Sequence, residues 1–444
     1  MRPILPPRDA GLPLVALAVW LAAWLAAAGF AGTAPEAAAQ KFTPNYDESR
    51  VPEYELPMLG AVHGQEKWTQ TRRPELMRLL TDHQFGRVPG DNGEPVAAKV
   101  VDLESEVALG GRAVRHQYTL ELSRRGVTVP IAVLAYFPKD SGKAEKGVPA
   151  FLTLNFRGNH TTTADPNVRL PKSWVPNDPK TGAANNAASE KGRGARAHRW
   201  PIADIVAAGC GIVTVYYGDI DPDFDDGFKN GVHGLFPDHE RTETSWGSIA
   251  AWAWGASRVF DSFGDARLPV DEDRVVVFGH SRLGKTALWA SATDPRFAGA
   301  ISNNSGCGGA ALLRREYGET LGRITTSFPH WFCDRFDSYA DRVDELPVDA
   351  HTLLAMTAPR GLVVASAVGD RWADPKGEFL AVRAAAPAWK AFGVPSELPA
   401  AAPTPGDEPS VAVGERLRYH IRPGRHDVTG EDWRRYLDFM KSLE

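Results

Sequence analysis

The chain has 444 residues, of which 43% are hydrophobic and 24% are charged, and its formal net charge is -5. This balance is typical of a globular protein and excludes the disordered and fibrous classes. The slight acidity, without a basic stripe in the sequence, gives no indication of nucleic-acid binding.

The first 39 residues have the pattern of a signal peptide. Arg2 and Arg8 precede an apolar run over residues 12–30, and a short run of alanines ends at Ala39. A basic region, an apolar core and a small-residue cleavage site are the three parts of such a signal. The apolar run approaches spanning length, so a retained membrane anchor is the alternative. We expect cleavage, no membrane attachment afterwards, and a periplasmic or secreted protein.

The remainder, residues 40–444, is predicted to be a single domain in which short β-rich runs give way to alternating strand and helix patterns. This alternation predicts an α/β fold: a three-layer sandwich with a mostly parallel central sheet. A polar segment at about residues 161–199 is predicted to be an inserted surface loop beside the site. The predicted strands span residues 99–103, 114–122, 127–137, 148–155, 211–217, 274–278, 298–302 and 361–368, and the predicted helices span 202–208, 249–263 and 283–292.

The three cysteines allow at most one disulfide in an exported protein. Cys210 lies within an apolar stretch and is interpreted as a small buried hydrophobe, which makes Cys307 and Cys333 the expected pair. No Cys-x-x-Cys or His-Glu-x-x-His spacing occurs in the sequence, and we expect neither a metal site nor a cofactor.

An acidic run follows the strand predicted at residues 211–217. It contains Asp219, Asp221, Asp223, Asp225 and Asp226. An EF-hand calcium loop needs Gly at its sixth position and Glu at its twelfth. Counted from the first aspartate, these positions hold Phe and Asn. We therefore predict a solvated acidic loop.

The segment that indicates chemistry is Gly279-His-Ser-Arg-Leu-Gly-Lys285, which follows a buried β-rich run and begins a helical one. A Gly-x-Ser-x-x-Gly pattern in this context is typical of the nucleophile elbow of α/β hydrolases, although the second glycine stands one position later than usual. Glycines flank the serine because the strained turn leaves no room for larger side chains. Ser281 is the predicted nucleophile.

A serine hydroxyl needs a base, and in this fold the acid and then the histidine follow on later loops. His426 follows a strand and a glycine turn and is the predicted base, whereas His420 lies inside the strand pattern and is interpreted as structural. Asp370 directly follows the strand at residues 361–368 and is the preferred acid. Asp374, which precedes a proline, remains the alternative. The carboxylate would orient the imidazole and stabilise its cationic form.

Two cations stand beside the predicted nucleophile. The backbone N–H of Arg282 is the expected first oxyanion donor, and its side chain adds a positive charge. Lys285 lies one helical turn after Ser281, so both side chains can face the same pocket. The alternative for this lysine is a solvated charge on the helix surface. Two cations favour a polar or acidic sugar over a simple uncharged ester.

With these residues the chain resembles the glucuronoyl esterases, carbohydrate esterases that cleave esters between lignin and glucuronoxylan. Their elbow reads Gly-Cys/His-Ser-Arg-x-Gly-Lys. Further matching stretches are Trp246–Gly255, Ser305–Gly309, Phe328–Cys333 and Gly424–Thr429. The resemblance implies an α/β-hydrolase fold in which Ser281 is the nucleophile and His426 the base. It further implies that Arg282 assists the oxyanion, that Lys285 and Trp372 contact the sugar, and that Glu319 is a weaker candidate for the sugar hydroxyls.

The chain departs from the fungal members of this family in two places. Asn304 stands where they carry the triad Glu, so the acid must come from the later loop, as in some bacterial relatives. His280 and Asp427 stand where the fungal enzymes have a disulfide, so that bridge is absent. The segment at about 161–199 is similar to the inserted loop of bacterial members.

The resulting prediction is a monomeric esterase that cleaves glucuronate esters of glucuronoxylan, including lignin–carbohydrate esters, through an acyl-enzyme on Ser281. One alternative is an acetyl xylan esterase or another α/β-hydrolase, and Arg282 and Lys285 argue against it because an acetyl group gives Lys285 nothing to hold. The other is a non-catalytic carbohydrate-binding protein, which would need no Ser, Asp and His in this order.

Overall fold

The computed structural model describes residues 42–60, 64–90, 93–404, 410–414 and 416–443. The strands in these residues are β1 (Ala97–Ala108), β2 (Ala113–Arg124), β3 (Val127–Pro138), β4 (Val148–Asn155), β5 (Gly211–Tyr216), β6 (Val270–His280), β7 (Gly299–Asn303), β8 (Gly361–Ala367), β9 (Ser410–Val413) and β10 (Leu417–Arg422). The α-helices are α1 (Gln65–Lys67), α2 (Arg73–Leu80), α3 (Ile202–Ala207), α4 (Tyr217–Ile220), α5 (Ser248–Asp261), α6 (Arg282–Thr293), α7 (Leu321–Ser327), α8 (Asp334–Asp337), α9 (Ala350–Ala355), α10 (Pro375–Ala385), α11 (Pro387–Lys390) and α12 (Gly430–Lys441).

All of these strands lie in one sheet, in the order β1-β2-β3-β5-β4-β6-β7-β8-β10-β9. The central strands from β5 to β10 in this order run parallel. Strands β1, β2, β3 and β9 pair antiparallel towards the two edges. The carboxyl ends of parallel strands meet at one edge of a sheet, which is where α/β proteins place their ligand sites. The loops after β4, β6, β7, β8 and β10 are therefore brought together there.

Both faces of the parallel strands are buried. In β6, Val275 and Val277 belong to one apolar cluster, and Val276 and Phe278 belong to the other. Helices α5, α6, α9 and α10 contribute to the first cluster, and α3 and α12 to the second. A strand covered on both faces reads as a continuous apolar run, which is why these strands could be recognised. The predicted three-layer α/β-hydrolase fold is confirmed.

The predicted elements differ from the observed ones mainly at their ends. The strand predicted at residues 148–155 coincides with β4, whereas the one predicted at 99–103 is part of the longer β1. Beyond Leu103, this strand exposes Glu104 and Glu106, and its pairing with β2 shifts register between Val101 and Glu104. An exposed, charged edge strand lacks the apolar pattern from which its length could be predicted.

The inserted segment, residues 161–199, contains neither a strand nor an α-helix, but it is packed rather than loose. Thr181 and Val175 are buried within it. The Nη1 group of Arg193 donates to the carbonyl oxygens of Asp165 and Val168 at 2.9 and 2.8 Å. Such side-chain donors satisfy backbone oxygens that have no partner in regular secondary structure.

Residues Pro44–Glu444 form one compact unit. The predicted signal peptide, residues 1–39, lies outside the described residues. In the part of the chain that the structure describes, no helix is both long enough and apolar enough to cross a bilayer.

The expected disulfide between Cys307 and Cys333 is wrong, because both residues are buried free thiols. The Sγ atom of Cys333 lies 4.0 Å from the carbonyl oxygen of Asp82. Burial, with Glu319 nearby, raises the pKa of Cys307. The two thiols thus lie in different surroundings, which their sequence spacing could not indicate.

The turn from β6 to α6 leaves no room for a side chain at the two glycines that flank the predicted nucleophile. A Cβ atom on Gly279 would lie 1.8 Å from the carbonyl oxygen of Leu283, and one on Gly284 would lie 2.9 Å from the Cβ of Ser305. Ser281, between them, has φ 58° and ψ -131°, which L-residues rarely adopt. The second glycine therefore lies against the segment after β7, where a side chain would collide with Ser305.

We expect Gly279→Ala to lower the free energy of unfolding by about 3 kcal/mol or more, because a backbone atom must move to admit the methyl group. Urea denaturation measures this change. Gly264→Ala is the matched control, since no atom lies within 4 Å of its added Cβ. Equal stability of the two variants would contradict the close approach.

Candidate active site

Ser281 stands at the N-cap of α6, where backbone hydrogen bonds hold it on both sides. Its N–H donates to the carbonyl oxygen of Asn303 at 2.8 Å, and its own carbonyl oxygen accepts from the Gly284 N–H at 2.8 Å. Arg282 is the first residue of the helix, and N–H groups in the first turn have no intrahelical acceptor. This N–H is therefore placed to bind a negatively charged oxygen beside the serine.

The loop after β10 carries His426, and the loop after β8 carries Asp370. The histidine Nδ1–H donates to Oδ2 of Asp370 at 2.6 Å, and Nδ2 of Asn304 donates to the same oxygen at 2.9 Å. Asp370 is 5% exposed. With Nδ1 occupied, Nε2 of His426 remains as the proton acceptor, and His426 and Ser281 line the same two cavities.

Arg422, at the end of β10, organises the loop that carries the histidine. Its Nε donates to the buried carboxylate of Asp432 on α12 at 2.6 Å. Its two Nη groups donate to carbonyl oxygens of three residues in the loop at 423–427. The N–H of Gly369 donates to the carbonyl oxygen of Gly424 at 2.8 Å and joins this loop to the one that carries the carboxylate.

Asp374 and His420 have partners of their own. Asp374 caps α10, where its Oδ1 accepts from the Gly377 N–H at 3.0 Å, and its Oδ2 accepts from Nε of Arg315 at 2.8 Å. Nε2 of His420 donates to Oδ1 of Asp432 at 2.9 Å. Neither side chain forms a hydrogen bond with His426, whose partner is Asp370.

A cavity of about 350 Å³ opens beside the serine, and it brings all the sequence-predicted site residues together. Its walls include Ser281, Arg282, Lys285, Glu319, Asp370, Trp372 and His426. Phe328 and Trp331 complete its apolar side. A cavity with one aromatic wall and several convergent polar groups is typical of a site for a small polar ligand such as a sugar.

Lys285 is buried, so the alternative of a solvated helix-surface charge is wrong. Its Nζ donates to the carbonyl oxygen of Ser305 at 2.5 Å. Burial lowers the pKa of Lys285, although the Glu319 carboxylate opposes this change. Burial also raises the pKa of Glu319, which Lys285 and a hydrogen bond from the Trp372 side chain oppose. These three side chains form one interacting group in the cavity wall.

The solvated acidic loop predicted after β5 is wrong, and one of its aspartates is part of the site. The Asp223 carboxylate accepts from Nη1 of Arg282, from Nε2 of His330 at 2.9 Å, and from Nε1 of Trp331 at 2.7 Å. It also accepts from the hydroxyl of Tyr217 at 2.8 Å. Burial by itself raises the pKa of Asp223, but these donors outweigh it, and the net effect is a pKa below the ordinary value.

Two further members of the acidic run, Asp219 and Asp221, are buried, whereas Asp225 is exposed. Asp219 accepts from the Ser173 hydroxyl at 2.5 Å and from the Ala132 N–H at 3.1 Å. Within the described residues, no group of three or more His, Cys, Asp or Glu side chains is arranged to hold a metal ion. The sequence held one indication that this run belongs to the site. The run follows the carboxyl end of the buried strand β5, and that edge of a parallel sheet is where ligand sites lie.

The side chain of Arg282 lies between the Asp223 carboxylate and three aromatic rings. Its guanidinium carbon lies 4.8 Å from the ring centroid of Trp331 and 5.7 Å from those of Phe156 and Phe328. Burial lowers the pKa of Arg282, but the Asp223 carboxylate more than offsets this, and the net pKa is raised. The arginine is a permanent, oriented cation beside the serine.

A second cavity, of about 190 Å³, lies on another side of the serine. It shares Ser281, Arg282 and His426 with the first cavity, and its other walls are Phe156, Arg157, Thr161, Arg196, Arg199, Trp200 and His280. The His280 ring lies 4.4 Å from the ring of His426, and its Nδ1–H donates to Oδ1 of Asn303 at 2.6 Å. Burial, and the adjacent His426, lower the pKa of His280, so its ring is neutral where it packs on the histidine.

The chain is similar to known esterases in sequence and in structure. Residues 201–393 match the family described as "Glucuronyl esterase, fungi". The sequence is 44% identical over 414 residues to a carbohydrate esterase from an unknown prokaryotic organism, an alignment that covers 91% of this chain and 93% of that protein. A glucuronoyl esterase from Solibacter usitatus superposes with a TM-score of 0.80 at 42% identity, covering 89% of this chain and all of the other. A promiscuous CE15 esterase from a marine bacterial metagenome gives a TM-score of 0.82 at 42% identity, covering 90% of this chain and 100% of the other.

We expect Asp223→Asn to lower the free energy of unfolding at pH 7 by about 2 kcal/mol, because it leaves a partly buried guanidinium without its anion. The lowered pKa of Asp223 means that its stabilisation is present above the unfolded-state pKa, near 4, and is lost as the pH falls through the folded-state pKa. The difference from wild type should therefore shrink in acid. Urea denaturation between pH 7 and pH 3 measures it, with the exposed Asp225→Asn as control. A loss that is the same at all pH values would contradict the ion pair.

Proposed function

Because the chain belongs to the glucuronoyl esterase family, we propose that it hydrolyses glucuronate esters of glucuronoxylan with Ser281 as the nucleophile. The family that the elbow motif indicated is thereby confirmed, and the protein is a carboxylic ester hydrolase. The observation that carries the assignment of residues is the paired His426 and Asp370 beside a serine that lines a sugar-sized polar cavity.

The proposed reaction is a two-step acyl transfer. Nε2 of His426 takes the proton from the Ser281 hydroxyl as the oxygen attacks the uronate carbonyl carbon. The tetrahedral intermediate collapses, the bond to the alcohol oxygen breaks, and the histidine returns the proton to that oxygen. Water then attacks the acyl-enzyme by the same route and releases free glucuronate. Asp370 keeps the imidazole in the tautomer that accepts at Nε2.

Arg282 stabilises the negative charge that develops on the carbonyl oxygen. Its backbone N–H lies at the N-terminus of α6, and its guanidinium is held in place by Asp223 and the surrounding rings. Donors that are oriented before the reaction stabilise the transition state without a cost of reorganisation. Asp223 acts through the arginine and is a positioning residue.

Lys285, Glu319 and Trp372 favour a uronate over an acetate. The ammonium and carboxylate groups can bond the ring hydroxyls, and the indole offers a flat apolar face to the sugar. An acetyl group satisfies none of these polar groups in the cavity wall, and polar groups left without a partner on binding reduce it strongly.

The natural alcohol is proposed to be of the lignin type, so that the enzyme separates lignin from glucuronoxylan. The enzyme is further proposed to act outside the cytoplasm as a monomer. The basic, apolar and alanine-rich segments up to Ala39 support export, and this prediction concerns residues outside those described.

We expect hydrolysis of benzyl glucuronate to exceed hydrolysis of methyl galacturonate and of acetylated xylan, and Ser281→Ala to reduce turnover by about 10⁶-fold. Steady-state kinetics on the three esters measures this preference. Activity confined to the acetate would contradict the sugar assignment, and more than about a tenth of the wild-type rate in Ser281→Ala would contradict the nucleophile.

Asn substitutions separate the two candidate acids. Asp370→Asn should reduce kcat by about 10⁴-fold, because the amide favours the wrong imidazole tautomer. Asp374→Asn should instead lower the free energy of unfolding by about 2 kcal/mol, since it removes one of the two carboxylates that pair with the buried Arg315, and leave most of kcat. Kinetics combined with urea denaturation distinguishes these outcomes. A larger loss of kcat in Asp374→Asn would reverse the assignment.

A further inference from the structure

The serine stands between two cavities, and an ester that reacts there must extend into both. The cavity with Lys285, Glu319 and Trp372 has the groups that bind the uronate, as proposed above. Attack at the carbonyl carbon places the acyl part on one side of the serine and the alcohol part on the other. The second cavity shares Ser281 and His426 and offers the space that an alcohol on that side of the serine needs.

Arginines dominate the walls of this second cavity. Arg157 follows β4, and Arg196 and Arg199 lie at the end of the inserted segment. In the described chain, two carboxylates pair with them. Asp178 lies 3.5 Å from Nε of Arg157 and 3.2 Å from Nη2 of Arg196, and Asp427 lies 2.5 Å from Nε of Arg199.

Three guanidinium groups thus share two carboxylates, and the wall keeps an excess of positive charge. Burial lowers the pKa of Arg199, Asp427 opposes this, and the charges of Arg196 and Arg157 lower it further. Like charges at this proximity repel one another, so an anion between them is stabilised. Arg282 adds little to this excess because Asp223 neutralises it.

The cavity has a mainly polar lining but is large enough for one aromatic ring. An engineered protein cavity of about 150 Å³ holds benzene, and this cavity has about 190 Å³. Phe156 and Trp200 supply aromatic walls, and among the described residues the buried indole Nε1–H of Trp200 has no hydrogen-bond partner. Guanidinium groups stack on aromatic rings and form paired hydrogen bonds with carboxylates.

We infer that the cavity of Arg157, Arg196 and Arg199 is the leaving-group site, and that it selects aromatic alcohols that carry a carboxylate. The inference rests on the proposed function and names the class of alcohol for the same nucleophile. The charged group takes no part in bond breaking. It remains on the alcohol, which leaves with the proton from His426.

The test compares 4-carboxybenzyl glucuronate with 4-carbamoylbenzyl glucuronate, which has a similar size and no charge, and with benzyl glucuronate. Each kcat/KM is divided by the rate of alkaline hydrolysis of the same ester, which removes differences in leaving-group reactivity. We expect the carboxylate to be preferred over the carbamoyl ester about fivefold at low ionic strength. The ratio of the corrected kcat/KM values for the carboxylate and carbamoyl esters should fall towards one in about 0.5 M salt, where charges are screened within a few ångströms.

Arg196→Gln and Arg157→Gln should each bring this preference close to one, because either removes the single excess charge, and the double variant, which leaves Asp178 without a cation, should favour the carbamoyl ester. The preference is a ratio within one enzyme preparation, so a partly unfolded variant still reports it. Arg434→Gln, whose side chain is 71% exposed and lines neither cavity, should keep the wild-type ratio.

Two results would overturn the inference. Hydrolysis of benzyl glucuronate without a preference for the carboxylate, or with a preference that the arginine variants leave intact, removes the leaving-group site and keeps the proposed function. Hydrolysis of none of the three esters removes both.

Discussion

The site depends on one close approach, that of β6 to the first turn of α6. No side chain fits at Gly279 or Gly284, so the strand turns directly into the helix and holds Ser281 in a rarely adopted backbone conformation. The same turn places the serine and the N–H of Arg282 at the carboxyl edge of the parallel sheet. Because that edge also carries the loops after β8 and β10, the other groups reach the serine without long excursions of the chain.

The paired side chains of His426 and Asp370 are held by polar contacts among loops. Arg422 and Asp432 fix the loop of His426, and Asn304 donates to Asp370. The amide of Asn304, on the segment after β7, therefore supports a carboxylate on the loop after β8. Such support matters because a misplacement of about 1 Å can reduce a rate by about 10²-fold.

The cations around the serine are of two kinds. Those beside the first cavity each have a partner of their own, whereas those of the second cavity share carboxylates. Arg282 has Asp223, and Lys285 has the Ser305 carbonyl oxygen with Glu319 nearby. In the proposed reaction these groups orient the reacting carbonyl and the sugar. The arginines of the second cavity share fewer carboxylates than they number, so that side of the serine attracts an anion. The inserted segment contributes two of these arginines, and in the proposed leaving-group site they face the alcohol rather than the sugar.

The sequence by itself determined the fold class and the strand β4, because apolar runs and glycine turns are local properties of the chain. It likewise indicated the elbow serine and the later histidine, whose neighbours in sequence are also their neighbours in space. Only the tertiary structure decided which aspartate meets His426, that Cys307 and Cys333 stay apart, and that Asp223 is buried against Arg282. An acidic run looks solvated in the sequence, whereas three of the four side chains that donate to Asp223 lie 59 to 108 residues away. Such hydrogen bonds and ion pairs form only when the loops meet at the edge of the sheet, and a local sequence pattern does not predict that meeting.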